Sequence, residues 1–115
     1  MRRGDIYWVD FEAVRGAEGG RTRPAVVVSN NAANAAAERR GKGIVTVVPI
    51  TSSIDRVFPF QVLLSAADCG LTADSKAQAE QVRAVGADRL RGRIGAVPTP
   101  SLRQIDEALR LHLSL

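Results

Sequence analysis

The apolar residues of this 115-residue chain fall in short runs suited to strands, and only the last segment has the spacing of an amphipathic helix. Residues 5–11 (DIYWVDF) are rich in β-branched and aromatic side chains and predict a first strand. Residues 24–29 predict a second, 44–50 (IVTVVPI) a third, 58–64 (FPFQVLL) a fourth and 91–97 (RGRIGAV) a short last one. Pro49 is expected to end, bulge or expose the third strand. Residues 30–40 read as a short helix or an irregular connection, closed by Gly41 and Gly43, and 65–71 as a turn carrying Cys69. Residues 75–85 (SKAQAEQVRAV) read as a strand with Lys76, Gln78, Glu80 and Val82 on one face, although alanine, glutamine and lysine also permit a helix. In the tail, Thr99 is expected to be the N-cap and Pro100 the first helical residue; Leu102, Ile105, Leu109 and His112 then share one face. Several short strands and one terminal helix predict a mainly β fold, a small twisted sheet or partly closed barrel.

The length fits one domain over residues 1–115, able to bury about two-thirds of its unfolded surface without a metal or disulfide. Cys69 is the only cysteine, which excludes an internal disulfide and fits a reducing compartment. No apolar export segment follows the basic start and no run reaches membrane-spanning length, so the expected location is cytoplasmic, with no membrane partner. Of 16 basic residues only Lys42 and Lys76 are lysines. Arginine presents a flat fork suited to phosphate, and a pI near 10.2 fits a polyanionic partner, although an Arg- and Ala-rich composition alone gives the same bias. Tyr7, Trp8 and three phenylalanines are all the aromatics. That is little for a binder built on base stacking, and Tyr7 and Trp8 read better as core or dimer packing.

The stretch RGAEGGRTRPAVVVSN, residues 15–30, joins a glycine-punctuated loop to a strand. Pro24 fixes its own φ and holds Arg23 extended, which puts a guanidinium at the loop–strand junction. It is placed either to hold a phosphate or simply to be solvated beside an ordinary turn. A single histidine, His112, excludes a two-histidine ribonuclease within one chain. No His/Cys pair has metal-ligand spacing, the carboxylates are scattered, and no Gly-Lys-Ser/Thr follows the glycines. The expectation is no metal and no cofactor. Arginine and hydroxyl side chains can still cleave RNA, which brings its own nucleophile in the 2′-hydroxyl. The protein need only align that oxygen and stabilise charge on the phosphoryl oxygens. DNA lacks the 2′-hydroxyl and is not expected to be a substrate.

Taken together, RRGDIYWVDF, GAEGGRTRPAVVVSN, VTVVPITS and the tail DSKAQAEQVRAVGADRLRGRIGAV with its final helix resemble the MazF/PemK toxins over nearly the whole chain. The resemblance implies an SH3-like barrel of the MazF/PemK/CcdB type with a C-terminal helix, working as a homodimer. It implies a metal-independent, sequence-selective endoribonuclease acting on single-stranded RNA (mRNA, or rRNA or tRNA) that leaves 2′,3′-cyclic phosphate and 5′-hydroxyl ends. A cognate antitoxin would occupy the RNA groove. By position, the family's catalytic arginine falls on Arg23 and its catalytic threonine on Thr51. Arg23 would stabilise charge and protonate the leaving oxygen; Thr51 would hold the scissile phosphate or pass a proton. Glu18, Arg21, Ser52, Ser53, Gln81 and Arg83 would line the RNA groove, with Glu18 a candidate general base. Ala17 stands where many relatives carry Ser, and Ala84 and Gly86 where many carry Thr and Asp; these departures bear on the recognised sequence, not on Arg23 or Thr51. Two other readings share the fold: a gyrase-poisoning, CcdB-like toxin and a non-catalytic RNA-binding barrel.

Overall fold

The computed structural model describes residues 1–11 and 21–115. The described residues form seven strands, β1 (Asp5–Phe11), β2 (Arg21–Val27), β3 (Ile44–Thr51), β4 (Gln61–Leu64), β5 (Ser75–Gln78), β6 (Arg83–Gly86) and β7 (Leu90–Ala96), and three α-helices. The helices are α1 (Asn31–Arg40), the single turn α2 (Ala66–Cys69) and α3 (Thr99–Leu113). The strands lie in the order β4-β5-β3-β2-β1-β7, with β6 also on β3, and every pairing is antiparallel. A mainly β chain with a C-terminal helix is the class expected from the runs of apolar residues.

β3 is the hub. Its successive side chains enter two cores, as strand alternation requires. Val48 and Ile50 join Ile6, Val26, Leu64 and Ile105 in one cluster, while Val45 and Val47 join Val9, Phe11, Ala25 and Ala37 in the other. Helix α3 closes the first core with Ile105, wholly buried, and Ala108. A fully buried side chain of this size contributes about 1.5–3 kcal/mol by its removal from water. Helix α1 closes the second with Ala37. Its start is set by Asn30, whose side-chain oxygen accepts from the Ala33 amide at 2.8 Å, and its end by Gly41 in the left-handed region.

Pro49 does not end β3. It pairs with Ala25 of β2, and the partner on the other side of β3 changes there instead. Before Pro49, Val47 lies opposite Arg83 of β6; after it, Ile50 lies opposite Ala77 of β5. The two registers differ by three residues, the length of the 3-10 turn Ala79–Gln81. A strand running unbroken over 75–85 is therefore incorrect: the segment is two strands joined by this turn. Proline offers no N–H to a ladder, so the break costs least at this point.

The other differences are local. The predicted turn at 65–71 contains α2, and the fourth strand begins only at Gln61. Pro98, not Thr99, is the N-cap of α3, and no side chain caps it; Thr99 and Pro100 are already in the first turn. Cys69 is buried, and burial, aided by the neighbouring Asp68 carboxylate, pushes its thiol pKa upward. A Cβ at Gly95 would collide with the Cys69 carbonyl oxygen, so glycine is what lets the end of α2 seat against β7.

Candidate nucleic-acid interface

Arg23 and Thr51 come from adjacent strands. The β2–β3 ladder runs through Val27↔Val47 and Ala25↔Pro49. Arg23 and Thr51 each lie two residues beyond its last rung, on the alternation that Ala25 and Val47 share. Each residue is fixed from its other side as well, because Arg23 pairs with Val9 of β1 and Thr51 with Lys76 of β5. Both are half-buried. Among the described residues Arg23 makes no ion pair and no side-chain hydrogen bond, so its guanidinium charge is open to an anionic ligand. Thr51 Oγ1 accepts from the Ser53 amide at 3.2 Å, which orients the hydroxyl and leaves its own proton to donate.

Arg83 reaches the same end of the sheet from β6, its guanidinium carbon 5.2 Å from the Phe11 ring centroid. A cation held over a ring keeps its charge while its hydrogen-bond donors stay available to phosphate. Gln81 is exposed on the 3-10 turn just before it. Ser52 and Ser53 are exposed beyond Thr51. Ser52 lines a cavity of about 190 Å³, with Trp8, Pro24 and Ile50. Arg21 pairs through its backbone with Phe11. Glu18 lies outside the described residues. His112 is exposed on α3, and Trp8, expected in packing, is 41% exposed at the rim of the cavity.

Lys76 escaped the sequence reading. It is 8% exposed, pairs with Thr51, and its Nζ donates to the Arg56 carbonyl oxygen at 2.5 Å. The sequence alternation already put it on one face with Gln78, Glu80 and Val82, but only the pairing of β5 with β3 brings Lys76 opposite Thr51. Among the described residues no group of three or more His, Cys, Asp or Glu side chains is placed to hold a metal ion.

The model of a family described as the PemK-like, MazF-like toxin of type II toxin-antitoxin systems matches residues 2–113. The endoribonuclease MazF9 of Mycobacterium tuberculosis is 57% identical over 115 residues, covering 100% of this chain and 98% of that protein. Endoribonuclease EndoA of Bacillus subtilis is 32% identical, over 100% of this chain and 96% of the relative. Among solved structures, a mycobacterial endoribonuclease in complex with its cognate antitoxin superposes with a TM-score of 0.76 at 29% identity, over 100% of this chain and 96% of that one. A MazE–MazF complex from Deinococcus radiodurans gives 0.79 at 26% identity, over 100% and 96%. With the family model matched nearly end to end and the architecture shared, the chain belongs to the PemK/MazF family of type II toxin–antitoxin toxins.

Proposed function

We propose that this chain, as one toxin domain, is a metal-independent endoribonuclease that cuts single-stranded RNA at a short recurring sequence and so arrests translation. The observation that supports the reading is the β2–β3 register: Arg23, with no ion pair among the described residues, and Thr51, whose hydroxyl accepts from the Ser53 amide, each lie two residues beyond its last rung, Ala25↔Pro49. The similarity to proteins named as endoribonucleases supports the same class of reaction.

In the proposed step the RNA 2′-oxygen attacks the adjacent phosphorus and the bond from phosphorus to the 5′ oxygen breaks. The products are a 2′,3′-cyclic phosphate and a 5′-hydroxyl. The 2′-hydroxyl proton passes to a general base, for which Glu18 is the candidate, and the leaving oxygen takes a proton from Arg23. Arg23 also neutralises the charge that builds on the non-bridging oxygens, where a positioned donor contributes roughly a hundred- to a thousandfold in rate. Thr51 donates to one of those oxygens. Arg21, Ser52, Ser53, Gln81 and Arg83 line the groove along which the flanking nucleotides run. A cognate antitoxin covers that groove, in keeping with the antitoxin complexes among the structural relatives. The working unit is a homodimer in the cytoplasm, and the exposed apolar side chains Leu111, Leu113 and Leu115 are surface that partners can bury.

The test is incubation of the purified protein, in excess EDTA, with a long, weakly structured RNA and a matching single-stranded DNA. RNA cut at one motif, with cyclic phosphate and 5′-hydroxyl ends and DNA intact, is the expected result. Intact RNA, or products with 5′-phosphate ends, would refute the mechanism. Intact RNA together with DNA breaks trapped on gyrase would favour the CcdB-like reading.

A further inference from the structure

The loop between β3 and β4, which leaves the sheet just after Thr51, gathers aromatic and cationic groups that the proposed chemistry does not use. Phe58 and Phe60 stack with centroids 5.3 Å apart and planes 1° from parallel. The Arg56 guanidinium carbon lies 4.7 Å from the Phe58 centroid. Arg56 is exposed and both rings are half-buried, so the group meets solvent rather than filling a core. Lys76 ties it to the sheet through its hydrogen bond to the Arg56 carbonyl, with Nζ 6.0 Å from the Phe58 ring. Lys76 is the rung opposite Thr51, about 5 Å away between Cα atoms, so its side chain links the Thr51 rung to the stack. Two of the chain's three phenylalanines are thus collected at one spot. Sequence composition pointed away from stacking, and the structure places it locally.

We propose that Arg56 and Phe58 form a nucleobase subsite, which takes the base of a nucleotide flanking the scissile phosphate and stacks it on the guanidinium–ring pair. The inference rests on the ribonuclease reading and deepens it. Single-stranded RNA presents unstacked bases, and an arginine plane or an aromatic ring is the surface that holds them. A base gripped there anchors the strand beside the scissile phosphate and adds to its affinity. Lys76 acts through the loop as a positioning residue.

The test uses a short RNA carrying the site mapped with the unmodified protein, and versions with one abasic nucleotide at each flanking position. Binding is measured on RNAs made uncleavable by a 2′-deoxy sugar at the cut, and single-turnover cleavage on the ribose forms. Removal of the base at one position is expected to weaken binding by the unmodified protein roughly 5- to 100-fold. Arg56→Ala should lose about the same factor on intact RNA and be indifferent to the abasic nucleotide at that position. Its saturating rate should fall far less than its affinity. Phe58→Leu should behave alike and Phe58→Tyr like the unmodified protein, whereas Arg56→Lys should not restore the coupling. If every abasic RNA costs Arg56→Ala as much as it costs the unmodified protein, the subsite is refuted while the nuclease reading stands. Full rescue by Arg56→Lys would also refute it, because a point charge would then suffice. Failure of the unmodified protein to cut any RNA would bring down both.

Discussion

The arginines at the two sides of the sheet are used differently. On the β1–β7 side each one meets a carboxylate: Arg91 and Arg89 reach Asp10 at 2.9 and 3.5 Å, and Arg93 reaches Asp5 at 3.2 Å. Where β2 begins and β3 ends, Arg23 has no ion pair among the described residues, and Arg83 and Arg56 lie over the rings of Phe11 and Phe58. Charge already matched by a carboxylate contributes little field for a polyanion, whereas charge that is unmatched or lies over a ring keeps it. The count of arginines therefore says little about where nucleic acid binds. Their partners say more.

The sharpest way to break this contrast is to remove one arginine from each side. Arg23→Ala is expected to lower RNA cleavage by roughly a hundred- to a thousandfold, as loss of a charge-stabilising donor does, with the melting temperature nearly unchanged. Thr51→Ala should fall in the same range under the same single-turnover assay. Next in size is a purely structural change: Ile105→Ala should cost about 2–5 kcal/mol in denaturant unfolding, while the surviving folded fraction keeps its specific activity. Asp5→Ala should cost about 1–3 kcal/mol, because the buried carboxylate accepts from the Arg2 amide as well as from Arg93. It should leave RNA affinity intact. Smallest is Cys69: its buried thiol, with the pKa pushed upward, should resist alkylation near neutral pH in the native protein and react on unfolding, as mass spectrometry would show.

Most elements of the fold were legible because they depend on local pattern. The β-branched run 44–50 and the 3.6-residue spacing of the tail each carry their own signal, whereas 30–40 read equally as a helix or an irregular connection and the structure makes it α1. The break between β5 and β6 was not legible, since Ala79 to Gln81 alternate as well in a strand as in a turn, and only the change of partner along β3 decides it. The site divides in the same way. Arg23 stands out beside Pro24 and Thr51 was reached through the resemblance, but that both lie just beyond the last β2–β3 rung is a matter of register. Lys76 and the Arg56–Phe58 pair carry no local mark, because Lys76 reaches the Thr51 rung, and the pair reaches Lys76, only through long-range contacts.

The most direct test sets Arg23→Ala and Arg91→Ala side by side with the unmodified protein in single-turnover cleavage of one mapped RNA, in EDTA. Each folded fraction would be checked by thermal melting. The account predicts that Arg91→Ala cuts at close to the unmodified rate and that Arg23→Ala is nearly inactive, with both proteins folded. Equal losses in the two variants, or an active Arg23→Ala, would contradict the assignment of the chemistry to the β2–β3 end of the sheet.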